Sequence, residues 1–394
     1  MIKKFSLDRA MYGVVIAMAL LITLSTALAT VAVAFGVLFI TYEFFRTKTF
    51  PKFDTEILKV LAIYFSAQIL IAAMSLEPAT SFREVVGEMH RFLPLIFAMT
   101  FIKDKNQLRG VLIATLIASL INDAVGIHQY FVKDAERAKG LVYSPTFLAS
   151  SMLMQIPIMI FTAIEFAETK WLRYGASFTA ALSLLCLGLS LTRGAWIAFT
   201  VTLILFAIFE KKYRVFTAKL FAAVLVIFLI VFAMSPKLQD RVGTLTDVNF
   251  QSNTERILMW KSSIEIFKDY PIHGIGQKMF EPVYNRKYIS PEAKERPDEH
   301  YSGHSQPHNN LLFAASEGGL IGMAAFIGLH AYLFRRFFIQ YKNESSMKFS
   351  AGLTLLLMFV ALHLEGLTDT NFNQVKLMRE FLVISGSLMT LNKD

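Results

Sequence analysis

Apolar runs of membrane-spanning length recur along almost the whole chain. They lie at 10–25, 28–45, 57–75, 91–103, 107–131, 145–166, 174–191, 195–209, 217–234, 309–334, 348–367 and 375–391. A helix needs about 20 mostly apolar residues to cross a bilayer, where no water is present to satisfy stray backbone groups. The pattern therefore predicts an all-α polytopic membrane protein with about 12 transmembrane helices. Two places are less regular. The stretch 12–45 is nearly continuous and is either one span or two short helices with a tight turn, and 91–103 is short for a full crossing. Lys3, Lys4 and Arg9, followed by apolar residues and Ala27-Leu28-Ala29, have the layout of a signal peptide. Apolar sequence continues through Phe45, so this segment is expected to remain as the first span.

Composition narrows the class further. Hydrophobic residues make up 55% of the chain and charged residues 18%, against about 45–50% and about 25% in soluble domains. A disordered chain, a nucleic-acid-binding tail protein and an ordinary cytosolic enzyme are excluded. The net charge of +9 would suggest nucleic acid on a soluble protein, but membrane proteins collect Lys and Arg in their cytoplasmic loops, and no nucleic-acid partner is expected. Cys186 is the single cysteine, so neither a disulfide framework nor a Cys-based zinc site is available; an inert buried thiol is expected there.

The loop charges set an orientation. Lys3, Lys4 and Arg9, then Arg46, Lys48 and Lys52, then Lys103, Lys105 and Arg109, then Lys211, Lys212 and Arg214 fall on one side. The positive-inside rule makes that side the cytoplasm, with both termini inside and the long 235–308 segment outside. Three regions follow: 1–234 with helices 1–9, 235–308 as one large periplasmic loop between helices 9 and 10, and 309–394 with helices 10–12. A loop of that length is commonly functional. Within it, Thr254–Phe267 has helical periodicity, with Ile257, Trp260, Ile264 and Phe267 on one face and Asn253 or Thr254 as its cap.

Charges at a membrane edge are costly and point to function. Arg193, in Leu191-Thr192-Arg193-Gly194-Ala195, sits between two apolar runs with almost no loop. It is either a hairpin residue snorkelling to headgroups or an anion site whose planar fork matches phosphate oxygens, with Gly194 and Ala195 letting the phosphate approach. Arg256 opens the loop helix and precedes Trp260 and Pro271-Ile272-His273-Gly274-Ile275-Gly276. It is either a surface charge or part of a site, and the Gly-x-Gly is either a turn or a ligand approach. His300, His304 and His308 are spaced by four beside Asp298 and Glu299. That spacing suits a metal if helical, although Gly303 and Pro307 interrupt it; the alternative is a single general base, for which His308, at the return to the membrane, is best placed. Glu365-Gly366-Leu367-Thr368-Asp369 is either an ordinary helix end or a carboxylate that orients a His or pairs with an Arg. Asp123, His128 and Arg137 are candidates for the same cluster.

Several of these segments resemble those of the O-antigen ligase family. His308-Asn309, a nine-residue gap and Gly319-Leu320-Ile321-Gly322 resemble its histidine signature. Leu191–Ala195 resembles its first arginine segment, and Arg256 through Trp260 to Pro271-x-x-Gly274-x-Gly276 its second. Arg137-Ala138-Lys139-Gly140-Leu141 with Ser144-Pro145 resembles a further segment. The resemblance implies a GT-C-like enzyme of lipopolysaccharide biosynthesis. Such an enzyme moves a finished polysaccharide from undecaprenyl pyrophosphate to a sugar hydroxyl of lipid A-core, at the periplasmic face of the Gram-negative inner membrane. It implies inversion and no metal or other cofactor, with Arg193 and Arg256 on the pyrophosphate and His308 as base. Arg137 and Asp369 follow as substrate-binding residues. The two histidines before His308 are a departure from that pattern. O-antigen polymerases and protein O-oligosaccharyltransferases share the superfamily and remain alternatives, as does, more remotely, a transporter.

Overall fold

The computed structural model of the chain describes residues 6–142, 144–243, 251–289, 306–344 and 347–392. Each apolar run forms helix. The first two are α1 (Leu7–Leu24) and α2 (Thr26–Thr47). They divide at Ser25, whose extended backbone ends one helix and whose hydroxyl accepts the Leu28 N–H of the other, so of the two alternatives for 12–45 the chain takes two helices. Next come α3 (Thr55–Ala73), α4 (Pro78–Met89), α5 (Leu93–Phe101) and α6 (Lys105–Phe131). They are followed by α7 (Pro145–Phe161), α8 (Lys170–Leu189), α9 (Arg193–Phe209) and α10 (Arg214–Met234). The polar segment carries α11 (Pro236–Gly243), α12 (Gln251–Asp269) and the short α13 (Phe280–Val283). The chain closes with α14 (Asn310–Asn343), α15 (Ala351–Glu365) and α16 (Val375–Leu388).

Among the described residues, eight helices are long and apolar enough to cross a membrane, and α9 and α15 are shorter apolar helices. The runs at 375–391 and 91–103 are the exceptions: the first folds as the fourteen-residue α16, and the second as a turn at His90–Phe92 followed by the nine residues of α5. The polar helix α4 precedes it, with Pro78 at its first turn, where a missing N–H costs nothing.

The helix α7 is the centre of the bundle. Every residue from Leu148 to Met159 is buried, as an all-round apolar helix requires. Around it pack α8 and α15, and α15 in turn contacts α9 and α14. At the rim, α2 and α10 expose Phe35, Leu38, Val226 and Leu229, a surface suited to hydrocarbon and not to water. Cys186 is buried with a free thiol, as expected, its Sγ directed at the Asp123 carbonyl at 3.4 Å.

The loop helix departs from its expected face. In α12 the buried residues are Leu258, Met259, Ser262, Ser263 and Ile266, whereas Ile257 and Ile264 are exposed. The helix also begins before its expected caps, and Asn253 lies inside it. The apolar spacing was therefore a poor guide here: Met259 and Ile266 pack with Phe280 and Tyr284, partners that periodicity does not reveal.

A break in α14 joins this loop to the bundle. Gly319 has φ 59° and ψ −152° inside the helix, a conformation open to glycine and not to side chains with a Cβ. The break frees two carbonyls and two amides, and the turn after α12 satisfies all four. Ile275 and Gly276 donate to the Ser316 and Glu317 carbonyls at 3.0 and 2.9 Å, and Leu320 and Ile321 donate to those of Pro271 and Ile272 at 2.8 and 3.1 Å. Gly274 (φ 66°) packs directly on the Glu317–Gly318 peptide. The Pro-x-x-Gly-x-Gly segment is thus a docking turn, with the first glycine of the Gly-x-x-Gly pair as its counterpart. A Gly274→Ala change places a Cβ into that peptide at a left-handed residue. We expect a loss of stability on the order of 1–3 kcal/mol, read as a lower melting temperature in detergent; an unchanged melt would contradict the docking.

Candidate functional site

The N-terminus of α9, the helix α12, the start of α14 and the turn after α15 meet at one end of the bundle. The last two are joined by hydrogen bonds. Asn310 N–H donates to the Gly366 carbonyl (2.8 Å) and the Asn309 amide to the Leu367 carbonyl (2.9 Å). The Asn309 side-chain Oδ1 caps α14 by accepting from the Leu311 and Leu312 N–H groups, the role this residue type takes at helix starts. Behind them, Glu365 is a brace. It is 1% exposed, accepts from Ser150 of α7 (2.8 Å) and from the Asn371 amide (2.6 Å), and Asn371 in turn accepts from Asn310 (2.7 Å).

This brace sets His308 beside Asp369. The His308 Nδ1 lies 3.1 Å from Asp369 Oδ1, which also accepts from the Thr370 amide at 2.7 Å. The imidazole is about one-third exposed, while the carboxylate is nearly enclosed. A buried carboxylate at Nδ1 keeps the proton on that nitrogen, leaving the Nε2 lone pair free. His308 holds φ 50°, a left-handed backbone that is rare for a residue with a Cβ and marks a position fixed by its surroundings.

Burial opposes ionisation of Asp369. The hydrogen bond and charge of His308, the charge of Arg256 and the Thr370 amide outweigh it and hold its pKa below the ordinary carboxylate value. The sign follows from the lowered folded pKa. The stabilisation is fully present above the unfolded value of about 3.9 and is lost as pH falls through the lower folded value. Asp369→Asn leaves a neutral oxygen facing Nδ1 and Thr370 and removes the negative charge that orients the imidazole and stabilises it once it has taken a proton. A loss of turnover on the order of 10²–10⁴ is expected, with the acid sensitivity of stability reduced. A variant that turns over normally would remove Asp369 from the mechanism.

Two arginines complete the site. Arg193, 6% exposed, is the first residue of α9. Its Nη2 donates to Asn253 Oδ1 of α12 at 2.7 Å, so the side chain expected to cap α12 instead bridges α12 to α9. One turn along α12, Arg256 lies close enough to Asp369 and Glu365 to act on both charges. A further turn along, the Trp260 indole donates to the Pro307 carbonyl at 2.9 Å, which pins the residue before His308. Arg137 stands behind this group: its Nε and Nη2 donate to the Ser190 carbonyl (2.8 Å) and Thr192 Oγ1 (3.0 Å). It braces the turn that presents Arg193.

Other expectations resolve differently. Ala195 is fully buried, and Gly194 packs against Thr368 Oγ1. The small residues therefore admit the 366–370 turn, where a phosphate approach was expected. Asp123 is buried against Ser183, whose hydroxyl donates to it at 2.7 Å, and His128 is exposed; their contacts lie outside the His308–Asp369 group. His300 and His304, with Asp298 and Glu299, lie outside the described residues. Sequence reasoning missed Ser150 and Asn371 and took Asn253 for a cap, because single polar residues within helices and turns carry no spacing signal.

The helices and this cluster define a multi-pass membrane protein with a guanidinium-lined end and a histidine–carboxylate pair. Residues 178–327 match the family model described as O-antigen ligase. The chain is also 21% identical over 355 residues to the O-antigen ligase of Salmonella typhimurium, a match covering 86% of this chain and 82% of that relative. Together the two comparisons support the O-antigen ligase family for this chain. The matched region holds Arg193, Arg256, His308 and Gly319–Gly322; Arg137 and Asp369 fall outside it.

Proposed function

We propose that this protein transfers a polysaccharide from undecaprenyl pyrophosphate to a sugar hydroxyl of lipid A-core, on the periplasmic side of the Gram-negative inner membrane. The observation that carries the reading is the His308–Asp369 pair held at the same end of the bundle as Arg193 and Arg256. In the reaction, His308 Nε2 takes the proton of the acceptor hydroxyl. The hydroxyl oxygen bonds to the anomeric carbon as the bond from that carbon to the pyrophosphate oxygen breaks. The electron pair leaves with the pyrophosphate, whose growing charge meets the two guanidinium groups.

Donors aimed at developing charge favour the transition state over the ground state. A pyrophosphate needs no proton to leave, so a single base suffices, and attack opposite the leaving group inverts the anomeric centre. The mechanism calls on no metal, since guanidinium groups meet the phosphate charge. Asp369 orients the base and Arg137 positions Arg193; neither needs to touch the donor. The 235–308 segment, through α12, supplies Arg256 and Trp260 as the outer wall, and in this reading the chain crosses the membrane about 12 times.

The test is to follow a labelled glycan in cells with and without the protein. The label is expected on lipid A-core only when the protein is present. Label moving instead to secreted protein, or into longer lipid-linked chains, would assign the chain to the oligosaccharyltransferase or polymerase branch.

A further inference from the structure

Between α3, α4, α14 and α16, next to the segment that follows His308, lies a cavity of about 100 Å³ that opens to solvent. The polar end is lined by Glu84 and Glu88 of α4, Gln277 and Asn310; the apolar end by Phe326, Leu329 and Phe381. The polar walls are held in place. Tyr64 donates its hydroxyl to Glu88 Oε1 at 2.7 Å, and the Gln277 amide donates to the Gln68 carbonyl (3.0 Å) and Oε1 (2.7 Å). One acceptor is left over: Gln277 Oε1 has no hydrogen-bond partner among the described residues, and the residue is 7% exposed. A buried acceptor without a donor is unfavourable until something donates to it.

The chemistry of this end selects its ligand. Carboxylates and an open amide oxygen accept hydrogen bonds, so they suit hydroxyl groups. Glu84 is paired with Arg91, and Glu88 is the carboxylate left to disfavour a pyrophosphate, which the Arg193–Arg256 end attracts. The apolar end suits a hydrocarbon chain or the carbon face of a ring. Asn310 connects the cavity to the site: it lies two residues beyond His308 and its amide bonds Gly366 beside the Asp369 turn.

We propose that this cavity binds a hydroxyl-bearing sugar of the acceptor glycolipid, with Glu88 and Gln277 accepting from its hydroxyls, and so separates the acceptor from the anionic donor. The inference rests on the transferase reading above. Glu88→Gln and Gln277→Ala, purified and checked for an unchanged melt, are assayed beside the wild type with lipid A-core and lipid-linked glycan. Each variant should raise the KM for lipid A-core by about tenfold or more and leave the KM for the donor within about twofold. Unchanged acceptor KM in both, with transfer intact, overturns this inference and spares the transferase reading. If the wild type transfers nothing, the transferase reading fails. Native mass spectrometry of lipid A-core retention then decides the cavity's role: loss of retention in Glu88→Gln supports it, and equal retention overturns it.

Discussion

Replacing His308 with alanine should abolish transfer, by on the order of 10²–10⁴ or more, the range a positioned general base supplies. The protein should still insert and bind donor. His308 contributes a ring whose Nδ1 is engaged by Asp369 and whose Nε2 is the free base, while the hydrogen bonds that hold the turn involve Pro307, Asn309 and Asn310. Removing the imidazole therefore removes the base and leaves those bonds in place. Single-turnover transfer alongside donor binding separates the two effects. Normal turnover in the alanine variant would exclude His308 as the base.

Arg193→Lys and Arg256→Lys are the second pair of large effects. Each keeps the charge and loses the planar fork, so a charge-only role and a bidentate role give different results. Losses on the order of 10²–10³ in turnover are expected for the alanine variants, as for removal of a donor aimed at developing charge, and strong losses for the lysine variants too. Arg193 carries a second duty, since its Nη2 bridges to Asn253. Arg193→Lys should therefore also loosen the contact between α9 and α12, whereas Arg256→Lys should leave it intact. Protease protection of the 235–308 segment reads that difference. Lysine variants with full activity would show that charge alone suffices.

The apolar runs were legible because a bilayer imposes both length and composition on a span, and each run became a helix. The break at Ser25 was not, because apolar sequence runs on through 12–45 and a single serine there carries no signal of its own. The helix α4 was not, because its twelve residues include Arg83, Glu84 and Glu88 and form no apolar run. At the site, Arg193, Arg256 and His308 stood out as charges in costly places. Asp369 carried the weakest signal, yet it has the most direct contact with His308. Its partner lies sixty-one residues away in sequence, and a helix-end carboxylate looks the same whether or not a histidine faces it. The face of α12 was misread because its burial is set by α13 and the following turn, which no local periodicity encodes. The Gly274–Gly319 contact shows the same limit: each glycine reads as a turn or a helix break alone, and only the fold shows that each makes room for the other.

The central claim is that His308 drives transfer of a lipid-linked glycan to lipid A-core without a metal. The most direct measurement is cell-free. Purified protein receives undecaprenyl-pyrophosphate-linked glycan and lipid A-core in the presence of EDTA, beside the His308→Ala variant. The account predicts glycan on lipid A-core with the intact protein and none with the variant. Transfer by both proteins alike, or transfer by the intact protein only after zinc is restored, would contradict it.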